Sequence, residues 1–355
     1  MKIIFDVLHI YYLPQYLPVY HQLILENAGN ATFVFYHGIH DDTIKAIIEK
    51  EQLTHIWVED NAQACNFYCQ EQADWIFFAN AFPYLDKVHK VSKSVQLGHG
   101  IGPKASYYTK SNTPTTVRFV EGKYRTQRLE SMYPHDCFID VGFCKLDPII
   151  NNTLESSSLA ELGLDSKKKT LLYAPTFYPS SIECFPNNWP ELYSQYNIII
   201  KPHYFSISKE SYKAQRKLLK QWGEFNNVYL AKVDDYSLVP FMALADVLIS
   251  DASSALFEFA ALNKPVIWCD FLKLRWSYRG IFSYRFKKRM DQDYGEYADV
   301  AVHAKSFKNL QQLVEQQLTT PKKLEATRLT LADKLCGKID GQASARIINY
   351  LREQA

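Results

Sequence analysis

No cysteine pattern, no long apolar run and no excess of one charge stand out in these 355 residues. The seven cysteines, at 65, 69, 137, 144, 184, 269 and 336, are odd in number and scattered. That excludes the disulfide framework that staples small secreted domains. Cys65 and Cys69 form the one close pair, without a second pair or a histidine at zinc-site spacing, so no metal is expected. No stretch approaches the ~18 uncharged apolar residues of a transmembrane helix. The richest, 239–269, carries Asp246, Asp251, Glu258 and Lys264. The opening run MKIIFDVLHIYYLPQ is broken by Asp6 and His9 and precedes no small-residue cleavage site, so a signal peptide is not expected. Forty basic residues against 38 acidic ones leave +2, which fits neither a polyanion coat nor an acidic tail. There is no internal repeat and no low-complexity tract. A reducing, cytoplasmic setting is what these absences imply.

What is present is globular: 47% hydrophobic and 22% charged residues. The length exceeds one ordinary domain of about 150 residues and suggests two. Aromatics make up 14%, with 24 Tyr and 21 Phe, which suits either sugar, headgroup or nucleotide contacts or a Tyr-rich core. Short apolar runs recur at 3–8, 32–36, 55–58, 75–79, 95–97, 117–120 and 138–141. They resume at 170–173, 197–200, 228–230, 247–250, 265–269 and 299–302. The runs are continuous rather than alternating, as in strands buried on both faces of a parallel sheet. Helix-length segments between them give repeated βαβ units. A polar linker lies near 148–168, around NNTLESSSL and DSKKK. The chain closes with helices expected at 307–317, 322–335 and 342–353. The expected architecture is α/β, two doubly wound Rossmann-like domains facing a central cleft. Their bounds are 1–150 and 165–338, with a helical segment 339–355 packing back across the domains.

Such folds place ligands at the C-terminal ends of their strands, and there the chemically capable residues stand. Val95–Leu97 precedes Gly98-His99-Gly100-Ile101-Gly102-Pro103-Lys104. The run 171–173 precedes Ala174-Pro175-Thr176, and 198–200 precedes Lys201-Pro202-His203. The run 247–249 precedes Ser250-Asp251-Ala252-Ser253-Ser254, which opens a helix over 255–262. Hydroxyls and backbone N–H groups at a helix start suit phosphate; an ordinary Asp/Ser N-cap explains the same residues equally well. Glu258 follows on the second turn, within reach of a ribose or base. His99, between glycines, has the setting of a general base. His203 beside Lys201 suits a diphosphate. Each histidine alone reads as a solvent-facing loop residue; one per domain, both at strand ends, is the stronger pattern.

The same residues resemble a family. The 98–104 run is similar to the Trp-His-Gly-Thr-x-x-Lys segment of teichoic-acid-type CDP-glycerol glycerophosphotransferases. Val141-Gly142-Phe143-Cys144-Lys145-Leu146-Asp147 resembles their Gly-Tyr-Pro-Arg-Asn-Asp segment, and Tyr173-Ala174-Pro175-Thr176 their Tyr-Ala-Pro-Thr. Lys201-Pro202-His203 resembles Lys-x-His-Pro. Ser250–Ser254 with Phe257-Glu258 and Asn263-Lys264-Pro265 resembles the Thr-Asp-Tyr-Ser-Ser helix start. Asp340-Gly341-Gln342-Ala343-Ser344-x-Arg346 resembles the closing Asp-Gly-x-Ala-Ser-x-Arg helix. The matches keep family order over roughly 94–350. Gly98, Tyr204, Ala252, Cys144 and Leu146 depart from the pattern, which bears on donor and acceptor identity and spares the hydroxyls and both histidines.

The resemblance implies a GT-B-like transferase that moves glycerol phosphate, or a related polyol phosphate, from CDP-glycerol to a hydroxyl of a cell-surface polymer or lipid-linked acceptor, releasing CMP. In that reading His99 is the base on the acceptor hydroxyl, and His203 contacts the diphosphate or assists the leaving group. Thr176, Ser253 and Ser254 hold phosphate oxygens, with Lys201 beside them. Asp251 orients its own helix turn and Glu258 holds the ribose. No cofactor is implied beyond the donor substrate. The alternative is a GT-B glycosyltransferase using a nucleotide sugar for capsule or lipopolysaccharide. A non-catalytic glycan-binding module is disfavoured by the retained histidines and serines.

One segment is strongly biased. KLRWSYRGIFSYRFKKR, 273–289, holds seven basic residues, five aromatics and no acid. Taking those seven from the +2 total leaves the rest of the chain at −5. Basic residues interleaved with aromatics suit an anionic membrane surface or polymer, at about 1 kcal/mol per basic residue near such a bilayer; a solvated loop with aromatic packing has the same composition. Lys104, Arg275, Arg279, Lys287, Lys288 and Arg289 are the expected acceptor or membrane contacts, peripheral on the inner face of the cytoplasmic membrane. No recognition module accompanies the patch, so nucleic acid is not expected.

Overall fold

The computed structural model describes residues 1–38, 41–98, 100–101, 105–108, 113–155, 157–251, 253–274, 278, 280, 284 and 297–354, without the side chains of 105 and 106. The chain forms two compact units: 1–100 with 107–153 and 334–355, and 101–106 with 154–333.

The first unit holds strands β1 (Lys2–Val7), β2 (Asn30–Tyr36), β3 (His55–Val58), β4 (Trp75–Phe78), β5 (Lys93–Leu97), β6 (Val117–Val120) and β7 (Phe138–Asp140). All pair in parallel, in the order β3-β2-β1-β4-β5-β6-β7. The second unit holds β8 (Thr170–Tyr173), β9 (Asn197–Ile200), β10 (Val228–Leu230), β11 (Val247–Ser250), β12 (Val266–Cys269) and β13 (Val302–Ala304). These also pair in parallel, as β10-β9-β8-β11-β12-β13. Both sheets are doubly wound. Their order reverses between β1 and β4 and between β8 and β11, where such sheets open a crevice for ligands.

The continuous apolar runs are strands for the expected reason: β4, β8, β9, β11 and β12 are buried along their whole lengths. The last run is displaced. Residues Ala298–Val300 form a single 3₁₀ turn, and the strand begins at Val302, in register with Ile267. Much of the aromatic content is core. Trp189 and Trp222 meet edge-on at 5.8 Å and Tyr173 stacks on Phe185 at 4.7 Å, all within the second unit's apolar cluster.

The final helix, Ala343–Glu353, belongs to the first unit. Asp147, which is buried, accepts from the N–H groups of Ser344 (2.7 Å) and Ala343 (3.4 Å), capping that helix from 197 residues away. Arg346 Nη1 donates to the Val141 carbonyl at 3.0 Å, and Asn151 Nδ2 to the Gly341 carbonyl at 2.8 Å. Gly341 has φ +71°, and a Cβ there would lie 2.0 Å from Asn151 Oδ1. Only glycine meets both demands. The Gly-Phe-Cys-Lys-Leu-Asp and Asp-Gly-Gln-Ala-Ser segments thus tie the C-terminus to its sheet. Among the described residues no helix is long and apolar enough to cross a membrane.

Candidate active site

Three neighbouring strands of the second sheet, β9, β8 and β11, end side by side. Their ends carry Lys201 and His203, Thr176, and Asp251, Ser253 and Ser254. The switch point of this sheet lies between two of these strands, so the sequence-derived residues of this unit collect where a doubly wound sheet takes a ligand.

His203 begins the short helix Tyr204–Ser208. Its Nδ1 accepts the Phe205 N–H at 3.1 Å. The imidazole proton of the neutral ring therefore sits on Nε2. The ring lies 4.7 Å from that of Phe177 and 5.2 Å from that of Phe205. Phe177 follows Thr176, and its carbonyl accepts from the buried Gln215 at 3.1 Å, so the ends of β8 and β9 are packed together. Lys201 is half-buried, with its N–H on the Tyr173 carbonyl at 2.9 Å.

Ser253 and Ser254 are half-buried. Ser253 Oγ accepts the Ala255 N–H at 3.3 Å, which leaves its hydroxyl proton to donate. Ser254 is the residue before the helix Ala255–Ala261 and makes no side-chain cap.

Two acidic residues of this segment are fully buried. Asp251 was expected to orient its own turn; its carboxylate, 0% exposed, instead reaches across to the segment after β8. It accepts from Thr176 N (2.6 Å), Ser181 N (2.9 Å), Ser181 Oγ (2.9 Å) and Ser180 Oγ (3.5 Å). Burial raises its pKa to about 6, against the opposing pull of those hydrogen bonds. Glu258, expected on the ribose, is also 0% exposed. Ser180, Ser181, Phe177 and Gln215 are the partners that sequence reasoning missed. Nothing in the sequence connects Ser180-Ser181 with a carboxylate 70 residues later.

Of the remaining candidates, His99, Lys104, Arg275, Arg279, Lys287, Lys288 and Arg289 lie outside the described residues. The carbonyl of Gly100, next to His99 in the chain, accepts from Arg125 Nη1 at 3.4 Å. Arg125 is buried, 2.5 Å from Glu121 and stacked over the rings of Tyr107 and Tyr108. Burial raises the Glu121 pKa to about 7, and the Glu121 charge holds the Arg125 guanidinium above its ordinary range. Among the described residues no group of three His, Cys, Asp or Glu side chains could hold a metal ion.

The family described as CDP-glycerol:poly(glycerophosphate) glycerophosphotransferase matches residues 36–353. The chain is 30% identical over 140 residues, 38% of its length, to the teichoic acid glycerol-phosphate primase of Bacillus spizizenii. It is 33% identical over 113 residues, 30% of its length, to the teichoic acid ribitol-phosphate primase of the same organism. The matched stretches span only 34% and 28% of those relatives. The solved wall teichoic acid polymerase TagF superposes with a TM-score of 0.67 at 18% identity, over 99% of this chain and 88% of that one. At that identity the likeness shows the fold.

Proposed function

From the premise that this chain belongs to the CDP-glycerol:poly(glycerophosphate) glycerophosphotransferase family, we propose that it transfers glycerol phosphate from CDP-glycerol to a hydroxyl of a teichoic-acid-type acceptor. The observation that carries the proposal is the convergence of Thr176, Lys201, His203, Ser253 and Ser254 on adjoining strand ends at the switch point of one sheet. The acceptor oxygen attacks the phosphorus that bears glycerol. The new P–O bond forms as the bond to the CMP oxygen breaks, and CMP leaves with the bonding pair. His99 takes the acceptor proton. Nε2–H of His203 donates to a diphosphate oxygen and offsets the charge that develops there. Lys201 adds positive charge, and the hydroxyls of Thr176, Ser253 and Ser254 hold phosphoryl oxygens. Catalysis is then positioning and electrostatics supplied by protein groups.

The 33% identity to a ribitol-phosphate primase favours one second reading, with CDP-ribitol as donor. The acceptor is an anionic polymer or a lipid-linked primer, met through the basic segment 273–289 at the inner face of the membrane. The test is a donor screen with a synthetic lipid-linked acceptor, following CMP. Release from CDP-glycerol supports the proposal, and release from CDP-ribitol alone selects the second reading. Turnover of a nucleotide sugar without CMP from either polyol donor overturns both. His99→Ala is expected to abolish turnover and keep donor binding; loss of donor binding would remove His99 from the role of base.

A further inference from the structure

We propose that Asp251 is a positioning residue: its buried carboxylate shapes the loop 176–181, fixes Thr176 for the donor phosphates and roots the basic segment at Lys273. The proposal deepens the donor-site reading above and rests on it for the phosphate contact alone.

The loop follows β8 and precedes the 3₁₀ turn Ile182–Cys184. Asp251 gathers donors from both of its ends, Thr176 N at one and Ser180 Oγ, Ser181 N and Ser181 Oγ at the other. Buried backbone donors need acceptors, and here a carboxylate from the neighbouring strand end supplies them. Three further contacts spread from the loop. The Phe177 ring backs His203. The Ser180 carbonyl accepts from the Lys273 N–H at 3.1 Å in an isolated antiparallel bridge. The Tyr178 ring meets Tyr278 edge-on at 5.5 Å. One carboxylate thus underlies the placement of Thr176, the packing behind His203 and the point where the basic segment leaves the sheet.

The carboxylate faces two backbone N–H donors and two serine hydroxyls. The hydroxyls can accept as well as donate, so a protonated Asp251 keeps partners in the same place. The titratable groups around it are Tyr173, joined through Ser181 Oγ at 2.9 Å, Cys184 and Cys269. Burial raises all three above their ordinary values, and they stay neutral around pH 7. Asp251 is the member of this group that changes charge on mild acidification.

The test uses the whole protein, with amide hydrogen exchange and calorimetric titration of CDP-glycerol. Asp251→Asn keeps the shape and turns an NH₂ toward the Ser181 or Thr176 donors. The expected result is that the amides of 176 and 181 exchange about tenfold faster or more while β8 and β9 stay protected, and that CDP-glycerol affinity falls about tenfold. In the wild type, protection at 176 and 181 rises as the pH is lowered from about 8 to about 5, after correction for intrinsic exchange, because the enclosed carboxyl binds its proton more tightly than in an opened loop; Asp251→Asn shows no such pH dependence. Ser181→Ala keeps the carboxylate, loses one donor and falls between, and with the wild-type pH series it decides the matter if Asp251→Asn does not fold. Unchanged protection at 176 and 181 across variants and pH overturns the proposal, as does a loss in Ser181→Ala that spreads through the whole sheet. A wild type that never binds CDP-glycerol overturns the donor reading, and the exchange measurement still decides the role of Asp251.

Discussion

Lys264 donates to the carbonyls of Met242, Ala243 and Ala245 at 2.8–2.9 Å, closing the end of helix Val239–Leu244. Asn263, beside it, holds φ +55° and accepts from Arg328. The Asn-Lys-Pro segment is therefore scaffold. Lys264→Met is expected to lower the unfolding free energy, read from denaturant melts, by about 1–3 kcal/mol, with turnover per folded molecule unchanged. His203 has the opposite character. His203→Ala removes both the acceptor for Phe205 N–H and the Nε2 donor, and a loss of about 10²–10³ in kcat is expected. His203→Asn presents an acceptor and a donor and should recover part of it, which steady-state kinetics measures. Buried carboxylates set the acid behaviour. Burial raises both Asp6 and Asp251 from 3.8 to about 6. Between those values the unfolded chain is ionised where the folded protein binds protons, so stability falls as pH rises through that window, by roughly 3 kcal/mol per group. Urea unfolding should therefore show a higher midpoint near pH 5 than near pH 7. A midpoint that falls steadily from pH 7 would contradict this.

At the level of elements, the thirteen apolar runs of the sequence correspond in order to the thirteen strands among the described residues. The correspondence follows from burial on both faces, which leaves little room for polar residues. It fails at the end of the second sheet. Asp299 and Val300 look as strand-like as Val302, but pairing with β12 requires Val302 level with Ile267 and His303 level with Trp268. The ring of His303 stacks on Trp268 at 5.4 Å and its Nδ1 lies 2.9 Å from Asp270, which fixes the register. The C-terminal helix depends on a cap no local reading supplies. Asp147→Ala leaves the Ser344 and Ala343 N–H groups without their buried acceptor and is expected to cost about 1–3 kcal/mol. Gly341→Ala, strained by φ and by Asn151, should cost at least about 1 kcal/mol. Thermal unfolding of the two variants checks both values.

For the whole molecule, the near-zero net charge conceals a basic strip on a body of −5. Replacing Lys287, Lys288 and Arg289 by Gln should weaken binding to anionic vesicles in a salt-dependent way; binding indifferent to both would leave that strip without a membrane role. Chelation by EDTA is expected to leave turnover unchanged, and a loss restored by Mg²⁺ would refute a transfer run by protein groups alone. The sequence by itself determined the fold class, the strand content and the order of the motif residues. Each of these is written in local composition: continuous apolar runs make buried parallel strands, and polar residues must follow where those strands end. Tertiary structure decided what the polar residues do. Lys201, His203, Ser253 and Ser254 stay half-buried at their strand ends, while Thr176, Asp251 and Glu258, equally polar in the sequence, are buried. The partners of Asp251 are 70 to 75 residues away and those of Asp147 about 197. A hydrogen bond is fixed by distance in space, and only the folding of parallel strands side by side brings such separations to 3 Å.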